Sequence, residues 1–289
     1  MTRRNPFPSD LQKPARQAAS HPWMDKLARL GYAAKGIVYF VVGLLAAQAA
    51  FTTGGRTTDT SGALATIVNQ PFGRFLLVLI TIGLIGYVLW RTVQALFDPA
   101  HSSDETNIKR IAQRMGYAFS AIAYTGLAWT AMKLIIGTKS SNSNATQDWT
   151  ARFMAQPFGR WAVGLAGLVV IGVGISYLYE AYKAKFQRHF KHYQMSETER
   201  HWTKWVGQIG ITARGVVFGI IGLFLVLAAL HSNASEAVGL GGALAALARQ
   251  PFGPWLLGIV ALGLIAYSIY SLTEARYRRI TQPQQQPKH

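Results

Sequence analysis

The tetrapeptide Gln70-Pro71-Phe72-Gly73 decides the fold, because it returns as Gln156-Pro157-Phe158-Gly159 and again as Gln250-Pro251-Phe252-Gly253. Related segments precede the three copies and begin at Gly31, Gly116 and Gly210, so that glycine and glutamine are 39, 40 and 40 residues apart. Self-similarity at a fixed period is the signature of internal repeats. The chain is therefore predicted to contain three collinear copies of one module.

The composition predicts that most of the chain lies in a membrane. Half of the residues are hydrophobic and 14% are charged, whereas soluble domains usually carry charges on about a quarter of their residues. Each of six apolar blocks reaches the length of about 20 residues that crosses a bilayer, once its amphipathic ends are included. The blocks are 36–51, 75–90, 116–136, 161–178, 209–230 and 255–270. The sequence therefore predicts an all-α membrane protein with six transmembrane helices.

Each module contributes two of these helices. The predicted units are a disordered polar N-terminal tail at 1–22, repeat 1 at 23–99, repeat 2 at 108–193, repeat 3 at 202–279 and a disordered C-terminal tail at 280–289. Because each module crosses the membrane twice, the repeats are parallel and related by an axis along the membrane normal. Three parallel two-helix repeats predict a pseudo-threefold bundle. The sequence leaves undecided whether its axis is packed or open.

The segments between the two spans of a module are predicted from their own residues. Helix-prone stretches at 61–69, 148–155 and 241–249 are expected to form short helices on the outer surface. The corner proline suits the first turn of the next span, where its missing N–H costs nothing. The corner phenylalanine, followed by Phe75, Trp161 or Trp255, predicts an aromatic belt at the outer interface. We interpret the repeated corner as an anchor, not as a ligand-binding motif.

The positive charge follows the predicted membrane topology. Of the 29 Lys and Arg residues, 22 lie in the segments 1–36, 91–114, 183–214 and 276–288, and 7 lie in the alternating segments. Short positively charged loops stay on the cytoplasmic side, so both termini are predicted in the cytoplasm. The basic residues are not gathered on one soluble domain, which argues against a nucleic-acid partner. The predicted partners are the lipid bilayer, anionic headgroups on its cytoplasmic side and a membrane protein of unknown identity.

A family resemblance rests on three sequence patterns. They are Gly-Tyr-Ala-Ala-Lys-Gly-Ile-Val-Tyr at 31–39, Gly-Ala-Leu at 62–64 and 242–244, and Pro-Phe-Gly-Arg at 71–74 and 157–160. Together they resemble the bacterial membrane-protein family catalogued as domain of unknown function 1206, over roughly residues 27–277. The resemblance implies a six-helix protein, which we expect in the bacterial inner (plasma) membrane, and it implies no activity. The middle copy departs from the pattern, with Asp148-Trp149-Thr150 in place of Gly-Ala-Leu.

Ionisable residues within spans are costly and are therefore candidate functional residues. Alignment of the modules predicts an inner ionic layer near the cytoplasmic boundary, made of Lys35, Ser120 and Arg214 on the first spans and Gln94, Glu180 and Glu274 on the second. One interpretation pairs Arg214 with Glu274 and Lys35 with Glu180. In the other, these side chains extend to the interface and are solvated there. Arg91, one turn deeper, is a candidate intramembrane charge without a charged counterpart in the other repeats.

The end of the fourth span carries aromatic residues at three- and four-residue spacing, flanked by Lys183, Lys185, Arg188 and Lys191. This pattern favours a helix on the cytoplasmic membrane surface that attracts anionic lipid headgroups, and packing beneath the bundle is the alternative. His189 and His192 have a spacing that suits a metal ion, but no cysteine or suitably placed carboxylate accompanies them. We predict no metal site.

The sequence contains no arrangement of residues that identifies a catalysed reaction. No glycine-rich phosphate loop follows a strand, no Ser-His-Asp order stands out, and cysteine is absent. We therefore expect no enzyme and no cofactor. The spacing of the glycines favours close helix packing and a non-catalytic structural or interaction role in the membrane. The alternative is a small-solute transporter or channel with a path along the pseudo-threefold axis.

The topology is testable because the chain has no cysteine of its own. Cysteines introduced one at a time at Ser102 and Thr281 are expected to be protected from an impermeant thiol reagent added outside intact cells. A cysteine at Ser143 is expected to react. Labelling at Ser102 without labelling at Ser143 would reverse the predicted orientation.

Overall fold

The computed structural model describes residues 22–52, 57–97, 107–138, 145–190 and 192–278. The α-helices of this part are α1 (Pro22–Phe51), α2 (Thr60–Val68), α3 (Gly73–Phe97), α4 (Asn107–Ile135), α5 (Ala145–Met154), α6 (Gly159–Tyr182), α7 (Glu197–His231), α8 (Leu240–Ala248) and α9 (Gly253–Tyr277). Six of them, α1, α3, α4, α6, α7 and α9, are long and apolar enough to cross a membrane. The prediction of an all-α protein with six spans in three repeats is confirmed.

The short helices α2, α5 and α8 occupy the segments where outer helices were predicted. Each precedes the corner of its repeat. Asp59 caps α2, since its carboxylate accepts a hydrogen bond of 2.8 Å from the backbone N–H of Gly62. Such a cap satisfies one of the N–H groups that a helix start leaves without an intrahelical partner.

The three corners share one backbone geometry. In each corner the glycine N–H donates to the glutamine carbonyl at 2.8 or 2.9 Å, and the phenylalanine between them is left-handed, with φ of 59°, 62° and 60°. The next span begins at the glycine, so the proline belongs to the turn and not to the first helical turn as expected. A Cβ on Gly73, Gly159 or Gly253 would lie 1.7 to 2.1 Å from a carbonyl oxygen of the preceding short helix. The corner therefore requires glycine for steric reasons.

The spans pack side by side in the order α4, α3, α1, α9, α7, α6. The two spans of repeat 1, α1 and α3, pack together, and so do α7 and α9 of repeat 3. In the described part of the chain, α4 and α6 of repeat 2 make no extensive contact. The row would close into a ring only if these two helices met, so the pseudo-threefold arrangement is not confirmed.

The glycines at equivalent positions of the three repeats show the same difference between repeat 2 and the other two repeats. A Cβ on Gly31 would lie 2.7 Å from Cβ of Tyr87, and one on Gly210 would lie 2.4 Å from the backbone nitrogen of Tyr267. In repeats 1 and 3, these glycines therefore lie where the first span packs closely against the second span of the same repeat. Gly116 holds the equivalent position in repeat 2, and no atom lies within 4 Å of its added Cβ. The middle repeat therefore lacks the close helix contact of the other two.

Other glycines do pack between helices, as predicted for small residues at membrane interfaces. A Cβ on Gly43 of α1 would lie 3.0 Å from the carbonyl oxygen of Ala261 on α9. Between α6 and α7, a Cβ on Gly174 would lie 2.8 Å from the carbonyl oxygen of Gly215. Gly172, in contrast, faces open space.

The segment after α6 does not form the helix on the membrane surface that the sequence pattern favours. The helix ends at Tyr182, Ala184 is left-handed with φ of 48°, and two short 3-10 helices follow at Lys185–His189 and His192–Gln194. Phe186 and Phe190 are buried, with their ring centroids 5.3 and 5.9 Å from that of Tyr270. Phe186 and Phe190 therefore pack against the bundle, whereas Tyr182 and Tyr193 are exposed, and the burial of the two phenylalanine rings on α9 excludes a straight surface helix. The prediction of a surface helix is wrong here.

The corner glycine is testable by substitution. Gly159→Ala is expected to lower the melting temperature of the detergent-purified protein, because its Cβ would lie 1.7 Å from the carbonyl oxygen of Phe153. Steric defects of this kind typically destabilise by roughly 1–3 kcal/mol. Gly172→Ala on the same helix is the control, since its added Cβ meets nothing within 4 Å. Equal melting temperatures for the two variants would contradict the proposed corner geometry.

Candidate functional site

Charged and tyrosine side chains from all six spans meet in the half of the bundle that the predicted topology places toward the cytoplasm. This inner cluster consists of Lys35, Arg91, Arg214, Arg278, Glu180, Glu274, Tyr32, Tyr39, Tyr87, Tyr117, Tyr124, Tyr177 and Tyr267. Arg91 lies 18 residues beyond Gly73, and Arg214 lies 17 residues before His231. At about 1.5 Å per residue, both lie roughly 26 Å from the outer ends of their helices, within a hydrocarbon layer about 30 Å thick. The cluster therefore lies near the predicted cytoplasmic boundary.

Lys35 is bound to a carboxylate of the neighbouring repeat. Its Nζ is 3.5 Å from Oε2 of Glu274, and each side chain is 3% exposed. Arg278 also donates to Glu274. The ammonium group lies over the rings of Tyr87 and Tyr267, 5.6 and 4.9 Å from their centroids. Lys35 is therefore stabilised by one shared carboxylate and by the negative faces of aromatic rings.

Arg214 is held by aromatic residues and not by a carboxylate. It donates a hydrogen bond to the hydroxyl of Tyr267. Its guanidinium carbon lies 4.9 Å from the ring centroids of both Tyr177 and Tyr267, and 5.2 Å from that of Phe218. A guanidinium is weakly hydrated and stacks well on rings, which suits this position within a span.

Arg91 has a third kind of environment. Its Nε and Nη2 donate to the hydroxyl of Tyr87 at 2.9 and 2.6 Å, and its Nη1 donates to Oε1 of Gln94 at 3.1 Å. The guanidinium carbon also lies 5.2 Å from the ring centroid of Tyr117 on α4. Arg91 is thus one of several charges within the spans, and not the isolated charge that the sequence suggested.

The remaining residues of the predicted ionic layer are placed unequally. Gln94 is buried, whereas Ser120 and Glu180 are half-buried. In the described part of the chain, Glu180 has no hydrogen bond or ion pair. The expected pairs, Arg214 with Glu274 and Lys35 with Glu180, are therefore corrected. Because α9 packs along α1, Glu274 forms an ion pair with Lys35. Arg214 lies between tyrosine rings instead.

Sequence reasoning missed the tyrosines, although the repeats contain their signal. Tyr39, Tyr124 and Phe218 each follow a first-span layer position by four residues, one helical turn. On the second spans, Tyr87, Val173 and Tyr267 each precede a layer position by seven residues. Aligned polar and aromatic positions on the same helix faces thus predict a shared site, which charge counting alone did not reveal.

The inner cluster has an excess of positive charge. Four of its described side chains are cationic and two, Glu180 and Glu274, are carboxylates. Several buried polar atoms also find no hydrogen-bond partner in the described residues, namely Tyr32 Oη, Arg214 Nε, Ser268 Oγ and Ser271 Oγ. A buried donor left without a partner typically costs about 1–3 kcal/mol. Both features favour a partner that is negatively charged and accepts hydrogen bonds.

The other predicted features lie elsewhere. The corner rings Phe72, Phe158 and Phe252 are exposed at the outer ends of the spans. Lys183 is exposed and Lys185 half-buried, while the side chains of Arg188, His189, Lys191 and His192 lie outside the described residues. A cavity of about 320 Å³ lies among the outer segments of all three repeats. Its charged lining residue, Asp59, already caps α2, so the inner cluster is the stronger candidate site.

Six apolar spans in three tandem repeats, with charges and tyrosines gathered between them, define a multi-pass membrane protein. The family model described as Domain of Unknown Function (DUF1206) matches the chain three times, at 30–98, 115–184 and 209–278, and the chain belongs to this family. It is 38% identical over 261 residues to the uncharacterised protein YxxB of Bacillus subtilis (strain 168), covering 90% of this chain and 93% of that protein. No solved structure matches the chain.

The Lys35–Glu274 pair is testable by a double-mutant cycle. Glu274→Gln leaves Lys35 buried without a carboxylate and is expected to destabilise the protein strongly, since breaking a buried pair costs about 3–5 kcal/mol. Lys35→Met is expected to cost less, because Arg278 still binds Glu274. The double variant should recover part of the loss. The free energy of unfolding in detergent measures each step.

The control for this cycle is the exposed pair of Arg200 and Glu197, whose atoms are 3.0 Å apart. Surface pairs usually contribute between 0 and about 1 kcal/mol. The effects of the two substitutions at the control pair on the free energy of unfolding are expected to be additive. If the effects of Lys35→Met and Glu274→Gln were additive as well, the Lys35–Glu274 pair would be solvated.

Proposed function

We propose that this protein acts in the membrane without catalysing a reaction, as an interaction protein that binds an anion at the inner cluster. The observation that carries the proposal is the excess of cations over carboxylates at this depth. Uncompensated charge is expensive where water is scarce, and an anion would compensate it. Arginine and tyrosine together offer several donors to one small anion.

The arrangement of the cluster favours binding over chemistry. Each cation is held by fixed neighbours, Lys35 by Glu274, Arg91 by Tyr87 and Arg214 by Tyr267. Donors that are fixed in advance lose little freedom when a ligand arrives. In our proposal, the protein lies in the bacterial inner membrane with both termini in the cytoplasm, so the cluster would face the cytoplasmic leaflet.

A small-solute transporter remains the second candidate. It is favoured by the partial exposure of Arg91 and Arg214, which leaves these two cations within reach of a ligand. An anion that reached the cluster would have to leave again on the other side. That would require a second opening toward the outer cavity.

Anion binding is testable with inorganic phosphate as the probe. At constant ionic strength, phosphate is expected to raise the melting temperature of the purified protein, because a ligand that binds the folded state stabilises it. Arg214→Gln should lose this effect. Arg74→Gln should keep it, since Arg74 is exposed at the outer end of α3. A response that is identical in the wild type and in Arg214→Gln would refute the proposal, because it would be a general salt effect.

Flux measurements separate the two candidate functions. Purified protein in liposomes is expected to show no saturable flux of protons, inorganic cations, inorganic anions or small metabolites. Saturable flux in the wild type that is lost in Arg91→Ala would contradict the interaction role and support the transporter.

A further inference from the structure

The inner cluster is least enclosed at repeat 2. On α6, the residues that face the cluster, Tyr177 and Glu180, are half-buried. The equivalents of Glu180, Gln94 on α3 and Glu274 on α9, are buried, and so is Ser271, one equivalent of Tyr177; the other equivalent of Tyr177 is Arg91, which is half-buried. The difference agrees with the lack of extensive contact between α4 and α6 in the described part of the chain. We call the space between these two helices the lateral opening.

Two cations flank this opening. Arg91 stacks on Tyr117, which belongs to α4, and Arg214 stacks on Tyr177, which belongs to α6. Both arginines are half-buried, whereas Lys35 is buried. Apart from Arg278, which donates to Glu274, the partly exposed cations of the cluster therefore lie at the edges of the opening, at roughly the same depth in the membrane.

The repeats differ at this place in residues that matter for a ligand. Repeats 1 and 3 have the cations Lys35 and Arg214 where repeat 2 has the small residue Ser120. They have Tyr87 and Tyr267 where repeat 2 has the apolar residue Val173. The opening thus has room near the cations and an apolar wall on its deeper side. A molecule with a polar headgroup and an attached hydrocarbon chain would match this arrangement, with its headgroup beside the cations and its chain beside the apolar wall.

We propose that the inner cluster binds the phosphate of an anionic phospholipid, whose headgroup enters sideways between α4 and α6. This inference rests on the proposed anion-binding function and names its ligand. The phosphate would lie between Arg91 and Arg214 and accept hydrogen bonds from guanidinium N–H groups of both side chains. The acyl chains would stay in the bilayer beside Val173. Both arginines lie close to the predicted inner boundary, just inside the layer of headgroups.

The test uses the purified protein in nanodiscs of phosphatidylcholine, with labelled phosphatidylglycerol as the probe. Retention of phosphatidylglycerol is expected to exceed that of labelled phosphatidylcholine by about tenfold, a difference of roughly 1.4 kcal/mol. The preference should be lost in Arg214→Gln and Arg91→Gln and kept in Arg74→Gln. Equal retention of the two lipids, or a preference that survives Arg214→Gln, would overturn the inference.

Entry through the opening is tested separately at Gly116. The equivalent glycines face Tyr87 and Tyr267 on the second span of their own repeats, and by this equivalence we assign a side chain at Gly116 to the α6 side of α4. Gly116→Phe is expected to lower phosphatidylglycerol retention while inorganic phosphate still binds, which shows that the cluster is intact. Gly126→Phe on the same helix is the control, because Gly126 also faces open space. Equal retention in the two glycine variants would exclude lateral entry.

A third arm separates the two proposals. Binding of inorganic phosphate without preference for phosphatidylglycerol would leave the anion-binding function standing and overturn the lipid ligand. Absence of both would overturn both.

Discussion

A cation inside a membrane protein needs an electron-rich neighbour, because the surrounding dielectric is too low to leave its charge uncompensated. The inner half of this bundle meets that requirement in three ways. Lys35 uses a carboxylate, Arg91 uses a tyrosine hydroxyl, and Arg214 uses ring faces together with a hydroxyl. The contacts of Lys35 and Arg214 need helices of different repeats or spans to come close, whereas Arg91 and Tyr87 lie one turn apart on α3. Glycines such as Gly43 and Gly210, which have no Cβ to separate the backbones, make that approach possible.

The repeat pattern of the sequence predicts the number of spans, their common orientation and the outer helices, because each depends on residues close together in the chain. The identity of ion-pair partners depends on how helices of different repeats are aligned against one another. Alignment of the modules could not supply this, so Glu274 was assigned to Arg214 when its partner is Lys35. The tyrosines were overlooked for a related reason, since tyrosine in a span also occurs as ordinary packing. Phe186 and Phe190 show that an amphipathic stripe can bury its aromatic face on its own protein.

Divergence of the middle repeat gives the bundle its asymmetry. Repeats 1 and 3 close through Gly31 on Tyr87 and Gly210 on Tyr267. Repeat 2 retains the glycine, as Gly116, but has Val173 in place of the tyrosine, and its spans stay apart. The packed spans of repeats 1 and 3 thus carry the four cations of the cluster, and the open side at repeat 2 leaves Arg91 and Arg214 partly exposed. In our account, this difference between the repeats gives one anion site to a protein that is built from three copies of a module.

A crystal structure of the protein grown in a lipid phase that contains phosphatidylglycerol is the most direct test of this account. We expect α4 and α6 to remain apart, with a lipid phosphate within hydrogen-bond distance of Arg91 and Arg214. Packing of Gly116 against α6 in the manner of Gly31 and Gly210, with no anion beside the two arginines, would contradict it.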